Sequence, residues 1–370
     1  MNDTCLNTGS ATTVYADLVS RLRDSIVRGA LKPGGFVGTE QEFCREWKLS
    51  RVSVRRATSL LIDEGLIERR PGKGLFVRLS DVAKRTIQII VPDLAFEQCV
   101  QIARGAQSLG LERGFTVQVY DANNRMDRDI AMLDQMPDQA IDGALILSWH
   151  NPKFTEALLR LKQNGVPFVL VDEHPRDIEV SSVTADNYAG GLRVGNALVD
   201  LGHKHVGFVG NLVAGTVRAR LEGLRDAIGD RKLPFDRSCI MDLAVQPNDD
   251  WAQRIASCTR ELMSRADRPT AIFYSDDQVA AEGYRTLRSM GLRVPDDVSI
   301  VGFDDSPLCR WLEPALASVR QPSMEMGRAA MRMLLDGIAH QQANKTPAPM
   351  GRVTLPVEWL PRASVGKAPQ

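Results

Sequence analysis

Hydrophobic residues near the N-terminus follow a helical period. Apolar side chains recur at every fourth position over the first predicted helix: Val14, Leu18, Leu22 and Ile26. This spacing places them on one face, so it predicts an amphipathic helix, and Gly29 marks its end. The Lys-Pro-Gly-Gly run at 32–35 then predicts a turn.

Two further helices and a hairpin follow this turn. Thr39 with Glu42 three residues later is a capping-box pattern, which predicts the start of a second helix. Ser50 is placed to cap a third helix, which ends at Gly65. The residues that this third helix is predicted to bury are Val54, Ala57, Leu60 and Leu61. The segment 66–77 reads as strand, turn and strand, so about 65 residues predict an α+β winged helix-turn-helix.

The hydrophobic pattern changes after a short polar stretch. Apolar runs now alternate with segments of helical period, which is typical of β-α-β units and of parallel sheets covered on both faces. The runs lie at 87–91, 117–120, 144–147, 168–171, 206–209, 271–274 and 299–302. A chain of 370 residues is too long for one ordinary core, and two such α/β sheets fit this part better than one. The predicted organisation is a disordered N-terminus at 1–12, the winged helix-turn-helix at 13–78, a linker at 79–86, a two-lobed domain at 87–362 and a tail at 363–370.

Composition narrows the class of protein. The hydrophobic content of 44% and the charged content of 25% are those of a soluble globular protein. No apolar run is long enough to span a membrane, and Met1–Thr13 lacks a signal-peptide pattern, so we expect a cytoplasmic protein without a membrane partner. The six cysteines have no short paired spacing, which argues against a disulfide framework or a metal site. No cofactor is expected.

Net charge is zero overall but differs between the two parts of the chain. Residues 1–80 contain 13 Lys and Arg against 9 Asp and Glu, whereas the remainder is acidic by the same margin. A basic segment on an acidic body suggests a module that binds a polyanion. The alternative is that a small domain carries this charge for solubility alone.

The third predicted helix carries polar and basic residues near its N-terminal end. Arg51, Ser53, Arg55 and Arg56 fall on or near its exposed side, since its apolar residues face the core. A recognition helix presents this end to the major groove, where arginine can form two hydrogen bonds to guanine. The alternative is an ordinary solvated basic face. The hairpin turn at 72–74, whose glycines allow the backbone to approach a minor groove, favours DNA binding.

Residues 15–77 resemble the GntR-type winged helix. The residues that carry the resemblance are Gly29, Pro33-Gly34, Thr39-Glu40, Ser50 to Arg55, Gly65-Leu66-Ile67 and Gly72 to Val77. The resemblance implies major-groove contacts from Arg51 and Arg55 and a wing at Gly72 in the minor groove. One departure is that Gln41 replaces the arginine that often contacts DNA in this family; glutamine could still donate to a phosphate. The candidate DNA-binding residues are Thr39, Gln41, Ser50, Arg51, Ser53, Arg55, Arg56, Gly72 and Lys73.

The larger domain resembles a second family. Its ordered motifs are Asp186-Asn187, Gly190-Gly191, Leu201 to Gly210, Arg220 to Gly223, Ser275 to Ala280, Val294 to Asp305 and Val319 to Pro322. Together they resemble the effector domain of the lactose/galactose-repressor family, which is similar in fold to periplasmic sugar-binding proteins. The resemblance implies a first lobe at 87–185 plus 323–348 and a second at 188–318 plus 351–362. The chain would cross between them near Asp186, Gln321 and Met350.

Three aspartates and a tryptophan follow predicted strands, at the strand ends where α/β proteins bind ligands. They are Asp93, Trp149, Asp276 and Asp304. Carboxylates and arginine suit a polyhydroxylated ligand, and the aromatic candidates for the apolar face of a sugar are Phe96, Trp149 and Trp251. By motif position, the resemblance implies that Arg220, Asp276 and Asp304 contact the effector.

Each effector candidate has a structural alternative. Asp276 and Asp304 could cap the helices that follow them, and Arg220 could form a surface ion pair. Trp251 could shield a helix start. His203 and His205 precede a strand, where a structural role is favoured over a catalytic or metal-binding one.

The combined prediction is a transcription regulator that is not an enzyme and has no catalytic residues. It would bind double-stranded operator DNA as a homodimer, as a repressor controlled by a sugar or sugar derivative between its lobes. One alternative is a regulator with a degenerate pocket or one that reads a partner protein; another is a purine or sugar-phosphate effector. A sugar-binding enzyme is disfavoured because no activated nucleophile, phosphate loop or metal-ligand spacing appears. A transport protein is disfavoured by the missing signal peptide and by the DNA-binding module.

Overall fold

The computed structural model describes residues 10–27, 31–32, 34–78, 86–147, 151–173, 178–244 and 250–369. The chain divides into two compact units, Met1–Thr86 and Ile87–Gln370. Of the segment 1–12 predicted to be disordered, residues 1–9 lie outside the described residues, whereas residues 10–12 belong to the first helix. Most of the predicted linker also lies outside them, and Thr86 already begins a strand.

The N-terminal unit has the predicted three helices and a hairpin. Its elements are α1 (Ser10–Val27), β1 (Phe36–Gly38), α2 (Glu40–Glu46), α3 (Arg51–Asp63), β2 (Ile67–Arg70) and β3 (Gly74–Val77). The strands form an antiparallel sheet in the order β1-β3-β2. Strand β1 was not predicted, because three residues are too few to show a pattern.

Its core lies between α1, α3 and the hairpin. Leu18, Val54 and Leu61 are fully buried in one cluster there. The prediction that Leu60 is buried is wrong, since 41% of it is exposed. Each residue of a helix turns the chain by about 100°, so Leu60 falls outside the stripe that contains its neighbour Leu61.

The first lobe of the larger unit has a six-stranded sheet covered by helices on both faces. Its elements are β4 (Thr86–Val91), α4 (Glu97–Glu112), β5 (Thr116–Asp121), α5 (Met126–Gln135), β6 (Gly143–Leu147), α6 (Pro152–Gln163), β7 (Phe168–Val171), β8 (Ser182–Ala185), α12 (Ser323–Asn344) and β14 (Arg352–Leu355). The strand order is β14-β8-β7-β6-β4-β5. The pairs β4-β6, β6-β7, β7-β8 and β8-β14 are parallel, as the alternating pattern predicted.

The second lobe repeats this architecture with four parallel strands in the order β10-β9-β11-β12. Its elements are α7 (Asn187–Asp200), β9 (Val206–Gly210), α8 (Gly215–Asp230), β10 (Ile240–Asp242), α9 (Trp251–Met263), β11 (Ala271–Tyr274), α10 (Asp277–Ser289), β12 (Ser299–Val301) and α11 (Leu308–Trp311). Short 3₁₀ turns lie at Met136–Asp138 in the first lobe and at Arg237–Cys239 in the second. The two lobes confirm the predicted α/β, periplasmic-binding-protein-like fold.

Three segments connect the lobes. Two of them pass near Asp186 and Gln321, as the resemblance implied. The third was expected near Met350, but β14 still pairs with β8 in the first-lobe sheet, so the chain leaves that lobe only after Leu355. It then forms β15 (Glu358–Leu360), which pairs antiparallel with β13 (Ser318–Arg320) beside the crossing points. A run of four β residues after a proline-rich loop gave no sign of which sheet it joins.

The C-terminal segment is part of the second lobe, which corrects the predicted tail at 363–370. Ser364 is fully buried; its hydroxyl donates to the Ile300 carbonyl at 2.7 Å and accepts from the Ala317 amide at 2.8 Å. The fully buried His203 ring donates to the Gly366 carbonyl at 3.1 Å, and burial lowers the pKa of His203. The small and proline-bearing composition of this segment suggested a tail, but its backbone covers an edge of the lobe.

The described residues contain neither a membrane-spanning helix nor a cluster of metal ligands. Within those residues, no helix combines the length and apolar character that crossing a bilayer requires. Likewise, no group of three or more His, Cys, Asp or Glu side chains in the described part of the chain is arranged to hold a metal ion.

Candidate DNA-reading surface and effector site

Side-chain caps begin both helices of the helix-turn-helix. The Thr39 hydroxyl accepts from the Glu42 amide at 3.2 Å, while the Glu42 carboxylate accepts from the Thr39 amide at 2.7 Å. The hydrogen bonds that the Thr39 amide and hydroxyl donate to the Glu42 carboxylate lower the pKa of Glu42. Ser50 accepts from the Ser53 amide at 3.2 Å and caps α3. The predicted capping box is confirmed, and Thr39, Ser50 and Ser53 all have structural roles at helix starts.

The basic residues of α3 lie on its exposed side. Arg51, Arg55 and Arg56 are exposed, whereas Val54 and Ala57 are fully buried on the opposite side. Val52, which was not singled out, is 77% exposed beside Arg51. Gln41 is exposed on the first turn of α2. These positions form one outward surface at the N-terminal end of α3.

Glu40 connects this surface to the hairpin. Its carboxylate accepts from Arg55 Nε at 3.1 Å and also from the Arg69 guanidinium of β2. Arg55 is held through Nε, and in the part of the chain that the structure describes its two terminal nitrogens form no hydrogen bond, so they can serve another acceptor, such as a base edge or a phosphate. Sequence reasoning quoted Glu40 within the family motif but did not assign a role to it or to Arg69.

The hairpin turn is tight and exposed. The Lys73 amide donates to the Arg70 carbonyl at 3.0 Å, and Gly72 has φ +71°. A positive φ at this position of a turn favours glycine over any residue with a side chain. Lys73 therefore lies at the exposed tip of the wing, where the prediction put it.

Close helix packing positions the central residue of the second candidate site. Helices α7 and α8 cross at Gly191 and Gly223. A Cβ on Gly191 would lie 1.9 Å from the Arg220 carbonyl oxygen, and a Cβ on Gly223 would lie 2.1 Å from the Tyr188 carbonyl oxygen. No side chain fits at such distances. The contact brings Arg220 of α8 against Asn187 at the start of α7.

Arg220 is buried, with only 4% of its surface exposed. Its Nε donates to Asn187 Oδ1 at 2.8 Å, a terminal nitrogen donates to the Ser275 carbonyl, and the guanidinium carbon lies 3.7 Å from the centre of the Phe303 ring. The alternative of a surface ion pair is therefore excluded. Asn187 belongs to a motif that the sequence analysis quoted without assigning it a role.

Asp304 lies where the second-lobe sheet meets the crossing segments. Its amide donates to the Val319 carbonyl at 2.7 Å, and its Oδ1 accepts from Gln321 Nε2 at 2.6 Å. Burial raises the pKa of Asp304 well above its ordinary value, although the positive charge of Arg220 acts in the opposite direction. Asp304 does not cap a helix.

Asp276 and Asp277 are adjacent in the chain but have different roles. Asp276 is the N-cap of α10 and accepts from the Val279 amide at 2.9 Å, which is the structural alternative considered for it. Asp277 is 1% exposed and accepts from the Ser318 hydroxyl and the Ser306 amide, both at 2.7 Å. Burial raises the pKa of Asp277 to about 6.

The remaining candidates are more dispersed. Asp93 accepts from the Ala95 amide at 2.7 Å, and Phe96 packs against a core cluster that contains residues of both lobes. Trp251 packs against the second-lobe core, and its indole N–H has no hydrogen-bond partner in the described part of the chain. Trp149 lies outside the described residues.

A cavity of about 410 Å³ adjoins the crossing segments, and we call it the hinge cavity. The first lobe contributes the starts of α4 and α12, and the second lobe contributes 304–307; the crossing segments contribute Arg320, Gln321 and Glu358. Among the described effector candidates, only Asp304 lines it. Gln321, whose side chain bonds to Asp304, was quoted in a motif but not predicted as a site residue.

Three hydrogen bonds between described residues join the lobes directly. The Glu173 carboxylate of the first lobe accepts from the Thr216 hydroxyl at 2.8 Å and from its amide at 3.2 Å, at the first turn of α8. Gln278 of the second lobe donates to the Ala95 carbonyl at 3.1 Å. The lobes therefore contact one another away from the crossing segments.

Two family models match this chain. Residues 14–77 match the bacterial regulatory proteins of the gntR family, and residues 196–365 match a periplasmic-binding-protein-like domain. The arabinose metabolism transcriptional repressor of Halalkalibacterium halodurans is 26% identical over 90% of this chain and 92% of the relative.

Solved structures show the same fold. A transcriptional regulator CelR in complex with cellobiose is 27% identical, covering 85% of this chain and 90% of that one with a TM-score of 0.67. A LacI-family regulator from Enterococcus faecium with bound ribose is 26% identical, covering 76% of this chain and 99% of that one with a TM-score of 0.63.

Proposed function

Because the chain carries a gntR-family DNA-binding domain followed by a lactose-repressor-type effector domain, we propose that it is a ligand-controlled transcriptional repressor. It binds operator DNA through α3 and the wing, and it acts in the cytoplasm, where operator DNA is found. Its relatives act as repressors, which supports the sign of regulation.

The outward surface of α3 carries this proposal. Arg51 and Arg55 point away from the core, and Glu40 holds Arg55 through Nε. A guanidinium held in this way offers a defined pair of donors to guanine or phosphate, which is worth about 1–3 kcal/mol for a good bidentate base contact. Gln41, Arg56, Gly72 and Lys73 are proposed to position the domain along the DNA backbone.

We propose that the effector is a sugar or sugar derivative bound between the lobes, near Arg220, Asp276 and Asp304. Regulators similar to this chain were solved with cellobiose or ribose bound, and another similar protein regulates arabinose metabolism. Asp93, Phe96, Trp149 and Trp251 are proposed to complete the site.

A homodimer would transmit the signal, because two linked recognition helices contact two half-sites. The effector changes the equilibrium between lobe arrangements only by as much as its affinity differs between them. The chain is proposed to return its effector unchanged and to have no catalytic activity, since the proteins to which it is similar are transcriptional repressors.

Operator binding by full-length variants tests the proposal. We expect Arg51→Ala and Arg55→Ala to weaken specific binding by about tenfold to a hundredfold, because each removes one base or phosphate contact. The matched control is Arg23→Ala, which removes an arginine paired with Glu64 at 2.6 Å in the same domain. Binding is measured by fluorescence anisotropy on operator and random duplexes. Wild-type affinity in both test variants, or an equal loss in the control, would refute the assigned surface.

A further inference from the structure

The hinge cavity is strongly acidic. Five carboxylates line it and one arginine does. The acidic residues are Glu97, Asp304, Asp305, Glu325 and Glu358. A cleft lined by one sign of charge raises the local concentration of molecules of the opposite sign.

The arginine of this cavity is already engaged. Arg320 donates to Asp305 at 2.8 Å and to Glu358 at 2.9 Å, and Asp305 is further paired with Arg362. Arg320 is therefore committed to two carboxylates and is poorly placed to receive an anionic ligand.

Two carboxylates of the lining, Glu97 and Glu325, have no compensating ion pair. In the part of the chain that the structure describes, neither of them forms a salt bridge. Glu97 accepts only from the Gln101 amide group, and Asp304 from Gln321. Asp304 differs from these two glutamates, because burial raises its pKa and its carboxyl group therefore adds less negative charge to the cavity.

Two lining residues also have buried polar atoms without a partner among the described residues. They are Nε2 of Gln98, a donor, and Oε1 of Gln321, an acceptor. Gln321 is only 4% exposed. Leaving such groups unpaired in a folded protein is costly, and a hydroxylated ligand can satisfy both, because a hydroxyl both donates and accepts.

From this lining we propose that the hinge cavity selects the effector by charge: it takes a polyhydroxylated compound that carries a protonated amine, and it rejects phosphorylated or carboxylated ones. Hydroxyls would pair with Gln98 and Gln321, and the ammonium group would lie between Glu97 and Glu325. This inference rests on the proposed function, because it describes the effector of the same domain.

Matched compounds test the charge selectivity. The full-length protein is titrated by calorimetry, after thermal-shift screening, with D-glucose, D-glucosamine and D-glucose 6-phosphate, and with the same three forms of D-galactose and D-mannose. For the skeleton that binds, we expect the amine to bind about tenfold more tightly than the parent sugar and the phosphate about tenfold more weakly. Equal binding of amine and parent, or tighter binding of the phosphate, would overturn the inference.

Variants of the lining give a second test. The double variant Glu97→Gln with Glu325→Gln keeps the side-chain shapes and removes two charges, so the preference for the amine should fall from about tenfold towards parity. The matched control is Glu222→Gln, which removes an exposed carboxylate on α8 outside the cavity. An unchanged preference in the double variant contradicts the proposal.

Failure of this inference and failure of the proposed function are distinguishable. If none of the nine compounds stabilises the protein, the effector class named above is wrong. The regulatory proposal is then judged separately, by whether the wild-type protein binds operator DNA specifically and whether Arg51→Ala abolishes that binding.

Discussion

The two candidate sites use arginine in opposite ways. On α3, Arg51 and Arg55 are exposed, and the domain core is complete without them. In the larger unit, Arg220 is buried, bonded to Asn187 and the Ser275 carbonyl and stacked on Phe303. The first arrangement leaves donors for a partner, whereas the second uses donors to hold the lobe together. An arginine in a family motif can therefore serve recognition, stability or both, and burial separates these roles.

The largest expected effect is on the buried side of this comparison. Arg220→Ala should lower the free energy of unfolding of the larger unit by about 3–5 kcal/mol, because it leaves buried acceptors unpaired and opens a cavity. The control is Arg225→Ala on the same helix, whose side chain is 51% exposed, with an expected change of about 0.5 kcal/mol or less. Urea unfolding measures both. If the two variants lost similar free energies of unfolding, burial would not distinguish the role of Arg220 from that of an exposed arginine.

The C-terminal segment tests whether buried uncharged polar groups also stabilise the larger unit. Ending the chain after Arg362 removes the buried Ser364 hydroxyl and the acceptor of the His203 ring. Since each buried polar group left unpaired costs about 1–3 kcal/mol, we expect a loss of about 3 kcal/mol by urea unfolding. Removal of 369–370 alone is the control. If the chain that ends at Arg362 were as stable as the full chain, the segment after Arg362 would be a tail.

The pH dependence of stability tests the burial of Asp277. Because burial raises its pKa to about 6, the folded state binds this proton more tightly than the unfolded state, and stability from this group is lost as pH rises from about 4 through 6. Asp277→Asn should reduce that loss by about 2 kcal/mol. Urea unfolding at pH 4.5 and 7 measures it, with the exposed Asp134→Asn as control. The same pH dependence in wild type and Asp277→Asn would contradict the assignment.

The smallest expected effect is on the exposed side. Gln41→Arg restores the residue usual in the GntR-type family at an exposed position of α2. We expect operator affinity to rise about threefold to tenfold and the salt dependence to steepen by about one released ion, with stability unchanged. Gln41→Met is the uncharged control. A gain that is equal in both variants, or insensitive to salt, would exclude a phosphate contact at this position.

Local patterns predicted most of the secondary structure. The Thr39 and Ser50 caps, the buried face of α3 apart from Leu60, and the apolar strand segments of both lobes all depend on residues close together in the chain. Hydrophobic period and capping act over a few residues, so a single sequence contains that information. The exposed surface of α3 was predictable for the same reason, since the side opposite an apolar stripe faces outward.

Contacts between distant residues decided the rest. The pairing of β14 with β8, the burial of Ser364 and the Glu40 contact with both Arg55 and Arg69 each join segments far apart in sequence. Composition does not indicate such pairs. The four residues of β14 could join either sheet, and Glu40 could face water or two arginines. Sequence alone therefore determined the fold class and the exposed basic side of α3. Only tertiary structure decided which charges are buried, since burial depends on every segment that packs around a group.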